Sequence, residues 1–356
     1  MNISKLGKLL TSEPKYRFKQ AFSAVFQDLI SDWDEATSLP LATRELLKEN
    51  CPLAIEAEIT KSADGTEKAL IKFEDGMAVE TVLISHRDGR HTVCVSSQVG
   101  CPMGCLFCAT GKIGFRRNLT REEIVEQVVF FARALKKKGG PARHASPARI
   151  ATQSVAGGRS DAGGKITNIV FMGMGEPFLN YDNVLGAIRF LNDENTLNLG
   201  ARRFSISTAG VTHGIRKLAE EKLEINLALS LHAPDEATRS HIMPINKKYP
   251  LDKVLREIKN YTEKTRRRVM FEYLMLDGVN DSPEQAEKLS LLLKGMLGFV
   301  NLISYNRTGM FKSSPTERIK RFKQILGKNR LSVLERHRFG EGIEAACGQL
   351  AGRRGK

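Results

Sequence analysis

The sequence predicts an α/β fold, a partial or full barrel of six or seven βα units preceded by a small accessory domain of helices and strands. From residue 91 onward, short apolar runs typical of buried strands alternate with stretches of helical periodicity, which is the pattern of a parallel sheet built from βαβ units. The composition is that of a globular protein, with 41% hydrophobic and 27% charged residues in a chain of 356. The predicted strands are Thr92–Ser96, Asn168–Met174, Phe204–Ser207, Ile225–Leu231, Val269–Leu274, Val300–Tyr305 and Leu331–Leu334.

The accessory domain is predicted over residues 1–86. Residues 1 to about 50 are basic and helical, with cationic side chains between aromatic ones, as expected of amphipathic helices that cover a small core. A hairpin follows, because two alternating runs at 54–60 and 69–73 flank the turn signal Asp64-Gly65.

The barrel is predicted over residues 87–338 and a flexible C-terminal loop over 339–356. The best-marked barrel helix starts at a capping box formed by Thr120 and Glu123, followed by apolar residues at helical spacing up to Leu135. Residues 136–165 are basic and rich in glycine, so we expect an insertion loop there without a core of its own.

Charge and hydropathy limit the possible partners. The formal net charge is +15, which favours nucleic acid or another anionic surface, although a basic enzyme without such a partner has the same signature. No apolar stretch approaches the ~18 residues of a membrane span, and no signal peptide is recognisable. We therefore expect a cytoplasmic protein, not bound to a membrane, in which cysteines serve chemistry rather than structural disulfides.

Three of the six cysteines form a C-x3-C-x2-C run, Cys101, Cys105 and Cys108, directly after the first barrel strand. A structural zinc site normally has four ligands in paired clusters, and no second pair exists in the sequence. Three thiolates suit one [4Fe–4S] cluster, in which one iron keeps an open position. Such an iron can bind a small molecule, which is a catalytic arrangement at the end of a barrel strand.

This run, with the aromatic Phe107 before its last cysteine, resembles the radical S-adenosylmethionine (SAM) superfamily, and the resemblance implies a partial (β/α)6 barrel. Further segments resemble one of its families, the dual-specificity methyltransferases that modify position 2 of an adenine in 23S rRNA and in certain tRNAs. The resemblance covers nearly the whole chain apart from residues 136–165. The segments are Cys94–Gly100, Phe107–Gly111, Met172–Pro177, Ser230–His232 and Ala345–Gly352.

The resemblance implies the residues that bind SAM. Glu176 would face the ammonium group of the cofactor, and glycines before it would let the backbone approach the ligand. Taken alone, His232 is more simply interpreted as a satisfied core histidine, but its place at the end of a strand favours the site. The full implied set is Gly175, Glu176, Ser207, Ser230, Leu231, His232 and Asn306.

The resemblance also implies a role for two cysteines outside the run. Cys347 would take a methyl group from one SAM, and a 5′-deoxyadenosyl radical made from a second SAM would remove a hydrogen atom from it. The sulfur-bound carbon would add to the adenine, and Cys94 would resolve the covalent adduct, leaving a disulfide. Glu80 matches a position proposed as the proton acceptor, whereas most glutamates on strands are simply surface carboxylates. Cys51 has no counterpart role and is interpreted as structural.

Two alternatives remain open. The sister methyltransferases that modify position 8 of the same adenine share the three-cysteine run and both additional cysteines. A non-enzymatic iron–sulfur or zinc protein that binds RNA would need neither Cys94 nor Cys347. The preferred interpretation requires 23S rRNA and tRNA as partners, a low-potential electron donor such as flavodoxin or ferredoxin, and a monomeric chain.

Overall fold

The protein is described here by a computed structural model that covers residues 3–139, 164–336, 339–340 and 342–352. Its strands are β1 (Ala57–Lys61), β2 (Glu67–Lys72), β3 (Ala78–Ser85), β4 (His91–Cys94), β5 (Gln98–Gly100), β6 (Phe115–Asn118), β7 (Asn168–Phe171), β8 (Phe204–Thr208), β9 (Asn226–Ser230), β10 (Val269–Met275), β11 (Gly298–Ser304) and β12 (Val333–Arg336). Its α-helices are α1 (Ile3–Leu9), α2 (Lys15–Phe26), α3 (Leu41–Asn50), α4 (Ala109–Lys112), α5 (Arg121–Gly139), α6 (Tyr181–Asn192), α7 (Thr212–Glu220), α8 (Glu236–Ile242), α9 (Leu251–Thr265), α10 (Pro283–Leu292) and α11 (Thr316–Lys328).

Ten of these strands form one sheet in the order β1-β2-β3-β4-β7-β8-β9-β10-β11-β12. From β4 to β12 every neighbouring pair is parallel. Each connection between these strands contains at least one helix, which gives six β-to-α crossovers and a final strand, β12. The predicted α/β class and its repeating units are confirmed. Because these strands run in the same direction, their carboxyl ends all lie at one edge of the sheet, where the functional sites of such folds are found.

All seven predicted barrel strands are present, with ends that differ by up to three residues from the expectation. The largest difference is β7, which ends at Phe171 rather than at Met174. The chain leaves the strand there, and Gly175 has a positive φ of 103° that an extended strand does not contain. The predicted capping box of α5 is also confirmed, since Thr120 and Glu123 exchange hydrogen bonds of 2.8 and 3.2 Å.

The predicted hairpin is present as β1 and β2, with Gly65 at the turn. Strand β3 pairs with β2 on one side and with β4 on the other, so the sheet is continuous across the predicted domain boundary at residue 86. The helical part of the N-terminal region packs on the barrel through Phe22 and Phe26, which contact Phe190 of α6. Cys51 is buried in this region, as expected of a structural residue.

The predicted insertion at 136–165 lies outside the described residues, apart from the end of α5 and residues 164–165. Within the described part of the chain, no helix is long and apolar enough to cross a membrane.

Candidate functional site

The loop that carries the three-cysteine run is fixed at both ends by backbone contacts. Strand β5 leads into it and pairs with β6, and the Cys101 N–H donates to the Gly114 carbonyl over 3.0 Å. A Cβ atom on Gly100 would lie 1.8 Å from that carbonyl oxygen, so only glycine fits before Cys101. Further along, the Leu106 N–H donates to the Ile242 carbonyl at the end of α8. The loop is therefore held against the carboxyl edge of the sheet.

Cys101, Cys105 and Cys108 all line one cavity, which we call the triad cavity. It encloses about 830 Å³ of space including its open mouth, within the range of sites for cofactor-sized ligands. Burial raises the pKa of the Cys101 thiol to about 12, and burial together with the neighbouring Cys108 and Cys101 raises that of Cys105 well above its usual value. Such thiols are deprotonated when they bind a metal, so their chemistry depends on the cluster.

The donor set fits a [4Fe–4S] cluster better than a single ion. Among the described residues, no three His, Cys, Asp or Glu side chains converge on one metal position. In a [4Fe–4S] cluster each thiolate binds a different iron, so the sulfur atoms surround a volume instead of meeting at a point. Three thiols on the wall of one open cavity provide that arrangement, with space left beside them for a further ligand.

Five of the seven residues predicted to bind SAM line the same cavity. They come from the ends of β7, β8 and β9, which the parallel sheet brings side by side. The hydroxyl groups of Ser207 and Ser230 lie 3.4 Å apart across two neighbouring strands. The five residues are Gly175, Glu176, Ser207, Ser230 and His232.

Two predicted residues lie elsewhere. Leu231 is fully buried between the strands and is not on the cavity wall. Asn306 lines the adjacent cavity, and its side-chain amide donates to the Cys347 carbonyl over 3.4 Å. The structure therefore separates these two from the other five, although both belong to the same edge of the sheet.

Glu176 is a buried carboxylate on the wall of the triad cavity. One of its oxygen atoms accepts the Phe178 N–H over 3.1 Å and the other accepts the Ala209 N–H over 2.7 Å. Burial raises its pKa to about 7, while these two hydrogen bonds act in the opposite direction. The Thr208 side chain also forms a hydrogen bond to it, which leaves the carboxylate one lone pair that can accept a bond from a cationic group in the cavity.

The glycines before Glu176 are required by the neighbouring chain segment. A Cβ atom on Gly175 would lie 2.6 Å from the Gln98 Cβ atom, and one on Gly173 would lie 2.7 Å from the Val95 carbonyl oxygen. Gln98 also accepts the Glu176 N–H over 2.9 Å. The expectation was that these glycines let the backbone approach a ligand, and the contacts add a second reason, close packing on the segment that leads into the cysteine run.

His232 both satisfies the core and lines the cavity. Its Nδ1 accepts the Leu274 N–H over 3.1 Å, and its ring stands edge-on to Phe107 with centroids 4.9 Å apart. Burial lowers its pKa to about 3, with the Arg239 charge acting in the same direction. The imidazole is therefore neutral at physiological pH and carries its proton on Nε2.

Cys94 and Cys347, 253 positions apart in the sequence, line a second cavity together, which we call the thiol-pair cavity. Cys94 ends β4 and is buried, whereas Cys347 is half-buried in the C-terminal segment. Burial raises the pKa of Cys94 to about 12, with the nearby Cys347 adding to the shift and Arg336 opposing it. The two cavities are adjacent and share Met172, Ile303, Arg336 and Cys347. Cys347 therefore faces both.

Two charged residues of this site were not singled out by the sequence as site residues. Arg336 ends β12 and lines both cavities, although arginine side chains are mostly exposed in proteins. The adjacent Cys347 raises the pKa of its guanidinium, and Glu272 contributes in the same direction. Glu272 lies on the triad cavity and accepts from the Asn301 amide. Arg336 ends β12, whereas Glu272 is the middle residue of β10, so the place of Arg336 at a strand end is the only signal that the sequence carried for either residue.

Glu80 lies on β3, where its side chain is 2% exposed. One oxygen atom forms an ion pair with Lys68, and the other accepts the N–H groups of Ala351 and Gly352. It lines neither of the two cavities. In this conformation the predicted proton acceptor is therefore engaged by the C-terminal segment.

Arg239 is another residue that the sequence did not single out. It lies on α8 with no exposed surface, and its guanidinium donates to the carbonyl groups of Ala209, Ser230 and Leu231. These carbonyls follow or end β8 and β9, which carry Ser207 and Ser230. A single buried cation thus joins the ends of two strands that line the triad cavity.

Comparison with known proteins identifies the family of this chain. The model of the radical SAM superfamily matches residues 95–289. A relative from Chloroflexus aurantiacus, named as a probable dual-specificity RNA methyltransferase RlmN, is 43% identical over 99% of this chain and 92% of its own. One of the same name from Dictyoglomus thermophilum is 42% identical over 95% of this chain and 91% of its own.

A solved structure has the same fold over the full length. It is a radical SAM methyltransferase from Sphaerobacter thermophilus, 40% identical, with a TM-score of 0.87 and coverage of 99% of this chain and 98% of that chain. Family model, relatives and solved structure therefore agree on the family of this chain. The chain belongs to the radical SAM superfamily and, within it, to the dual-specificity RNA methyltransferases of the RlmN type.

Proposed function

We propose that this enzyme methylates position 2 of an adenine in 23S rRNA and in tRNA, with Cys347 as the carrier of the methyl group. The observation that carries the proposal is the place of Cys347 on the wall shared by the two cavities. A carrier must meet a methyl donor on one side and a resolving thiol on the other. The triad cavity supplies the first environment and the thiol-pair cavity, with Cys94, supplies the second.

Radical SAM enzymes use one [4Fe–4S] cluster and SAM. Cys101, Cys105 and Cys108 are the residues proposed to hold the cluster, and the iron that they leave open is the proposed site of SAM. When bound, the cluster supplies an electron that cleaves SAM to a 5′-deoxyadenosyl radical. Two SAM molecules are consumed per turnover. Gly175, Glu176, Ser207, Ser230, Leu231, His232 and Asn306 are proposed to bind SAM.

The proposed role of Cys347 follows from the chemistry of the substrate. Position 2 of adenine lies between two ring nitrogens and is electron-poor, so it does not attack a sulfonium methyl group directly. The Cys347 sulfur, in contrast, attacks the methyl group of SAM, which releases S-adenosylhomocysteine and a proton. The sulfur-bound methyl then loses a hydrogen atom, and the remaining methylene carbon bonds to the adenine. Cys347 is thereby joined covalently to the RNA.

Cys94 is proposed to release the product. Its sulfur attacks the Cys347 sulfur, the bond from sulfur to the transferred carbon breaks, and a Cys94–Cys347 disulfide forms. Restoring the aromatic ring releases its hydrogen as a proton together with the unpaired electron, which balances the electron spent on cleaving SAM, and a proton completes the new methyl group. Glu80 is the proposed acceptor of the ring proton; because its carboxylate is engaged by Ala351 and Gly352, this role requires the C-terminal segment to move. A low-potential donor, such as flavodoxin or ferredoxin, restores both thiols.

The remaining assignments concern partners and organisation. The net charge of +15 supports binding to an RNA backbone. A base that reacts inside a buried cavity must be unstacked, so we propose loops of rRNA and tRNA as the targets. We also propose residues 1–86 as an RNA-contacting domain, residues 87–338 as the catalytic core and residues 339–356 as the carrier loop. We propose a monomeric, cytoplasmic enzyme.

The test is the identity of the methylated nucleoside. The cluster-loaded enzyme is incubated without oxygen with SAM, reductant and either an rRNA fragment or tRNA, and the digested RNA is analysed by mass spectrometry. We expect 2-methyladenosine from both RNAs. Finding 8-methyladenosine would assign the chain to the sister activity, and finding no methylated base and no 5′-deoxyadenosine would support a binding protein instead.

A further inference from the structure

The segment that carries Cys347 is attached to the accessory hairpin by a buried ion pair. Lys68 on β2 and Glu80 on β3 are joined by a distance of 2.7 Å, and their side chains are 7% and 2% exposed. Most ion pairs of this protein lie in the open; Lys72, also on β2, is 30% exposed and pairs with two exposed glutamates. Burying two charges is costly unless each is paired and hydrogen-bonded. The Lys68–Glu80 pair therefore calls for further partners.

The C-terminal segment supplies those partners on both sides of Cys347. On one side, the Lys68 ammonium donates to the Glu344 carbonyl over 3.4 Å. On the other, the free Glu80 oxygen accepts the Ala351 N–H over 2.6 Å and the Gly352 N–H over 3.0 Å. The cation receives a carbonyl and the carboxylate receives two N–H groups. The backbone groups on each arm thus complement the charge that they contact. The hairpin and the loop nevertheless lie more than 260 residues apart in the sequence.

Other contacts fix the middle of the segment near the cysteine run. The Ala109 N–H donates to the Gly348 carbonyl over 2.7 Å, and the Thr110 hydroxyl donates to the Leu350 carbonyl over 2.6 Å. Both contacts lie on the C-terminal side of Cys347, and on its N-terminal side the Gly340 N–H donates to the Asp64 carboxylate over 2.8 Å. The Lys68–Glu80 pair differs from these contacts because it binds the loop on both sides of Cys347.

We propose that Lys68 and Glu80 form a clamp that positions Cys347 on the wall between the two cavities. The proposal rests on the carrier role of Cys347 and adds a second, earlier role for Glu80, as a positioning residue before RNA binds. Release of the clamp frees the Glu80 carboxylate, and closure restores the carrier for the next methyl group. Proton acceptance and clamping are therefore distinguishable by the step that each affects.

The test measures the loop and its thiol without RNA. The full chain, loaded with its cluster and kept free of oxygen, is compared with the variants Glu80→Gln, Lys68→Met and Ala351→Pro. The last variant removes one N–H donor from the loop and leaves the hairpin side chains unchanged. Lys72→Met is the matched control, since Lys72 lies on the same strand as Lys68 and pairs with two exposed glutamates away from the loop. Iron content and circular dichroism establish that each variant is folded.

Three readouts are taken: amide hydrogen exchange of residues 344–352, alkylation of Cys347 followed by peptide mass spectrometry, and the single-turnover rate at which SAM alone methylates Cys347. Because each variant removes a bond to a charged group or, in Glu80→Gln, takes the charge from the acceptor, we expect exchange and alkylation to rise roughly tenfold or more in the three variants. The rate of Cys347 methylation should fall, and Lys72→Met should match the wild type.

The clamp is refuted if Ala351→Pro, or a folded Glu80→Gln, leaves exchange and alkylation at wild-type values. If Glu80 acts only as a proton acceptor, Glu80→Gln leaves all three readouts unchanged and slows only the later release of RNA. Failure of the carrier role itself has a different signature, since Cys347→Ala would then still methylate RNA while the loop contacts stayed intact.

Discussion

At the scale of single residues, the cysteines could be identified from sequence and the charged residues around them could not. The spacing of Cys101, Cys105 and Cys108 has a chemical meaning of its own, because three thiolates leave one iron open. Arg336 and Arg239 carry no such pattern, and a cation in the sequence is normally solvated. Only the fold places the half-buried Arg336 beside Cys347 and the fully buried Arg239 across two strand ends.

Gly175 tests the packing behind the site. We predict that Gly175→Ala weakens SAM binding at least about tenfold and lowers the free energy of unfolding by about 1–3 kcal/mol, since its Cβ would lie 2.6 Å from Gln98 Cβ. Gly278→Ala is the control: its φ is also positive, at 69°, but no atom lies within 4 Å of the new methyl group. Calorimetric SAM binding and urea unfolding measure both effects. Equal behaviour of the two variants would exclude the packing explanation.

His232 gives a prediction for pH. Its pKa is about 3 in the folded protein and 6.5 when exposed, so below pH 6.5 the unfolded chain binds a proton that the folded chain does not. Its contribution to stability is complete above pH 6.5 and is lost towards pH 3, at about 1.4 kcal/mol per pH unit. We predict that His232→Asn flattens the fall in stability between pH 7.5 and about 5.5, measured by urea unfolding.

Asparagine suits this experiment because residue 232 has a φ of 57°, which asparagine tolerates, and its side-chain oxygen can accept the Leu274 N–H. The two proteins should therefore share one fold. A variant that loses stability with acid as steeply as the wild type would show that His232 is protonated in the folded state.

At the scale of elements, the order of strands and helices followed from the sequence, whereas the side-chain contacts that join separate elements did not. The β7 and β9 strands were predicted from apolar runs, and the helix α5 from its capping box and periodicity. Strand β3 is buried on most of its length and pairs on both sides, but its sequence includes the charged Glu80. Its partner Lys68 lies on a separate strand, so no local sequence pattern predicts the ion pair.

Substitution of Arg239 tests whether its hydrogen bonds to the ends of β8 and β9 stabilise the fold. We predict that Arg239→Met lowers the free energy of unfolding by about 2–4 kcal/mol and weakens SAM binding, because three buried carbonyl groups lose their donor. Arg256→Met removes an exposed pair on α9, where the side chains are 70% and 62% exposed, and should change stability by less than about 0.5 kcal/mol. Thermal unfolding and calorimetric SAM binding of the purified proteins compare them. If the Arg239 contacts do not stabilise the fold, the two variants will have similar free energies of unfolding and similar affinities for SAM.

At the scale of the whole molecule, the sheet continues across the boundary that was predicted between the accessory domain and the barrel. Strand β4 pairs with β3 on one side and β7 on the other, so the hairpin and the barrel share hydrogen bonds. The sequence reveals where strands are, but sheet order depends on contacts between distant segments. The same holds for the C-terminal segment, whose glycines predicted flexibility while its attachment to Lys68 and Glu80 required the fold.

The net charge of +15 belongs to this scale as well. We predict that the affinity for RNA falls as salt rises, with a linear relation between the logarithms of affinity and salt concentration. The slope should be the same for an RNA in which the target adenosine is replaced, because phosphate contacts do not depend on the base. Filter binding between about 50 and 200 mM salt measures it. Binding that is independent of salt would contradict an electrostatic role of the charge.

The central claim is that the methyl group travels through Cys347 and loses a hydrogen atom on the way. The most direct measurement uses SAM whose transferable methyl group carries deuterium in place of all its hydrogens, with mass spectrometry of the methylated adenosine. A carrier that gives up one atom to the radical and regains a proton from water predicts a product methyl group with two deuterium atoms. A methyl group that keeps all three would mean direct displacement, and would contradict the account.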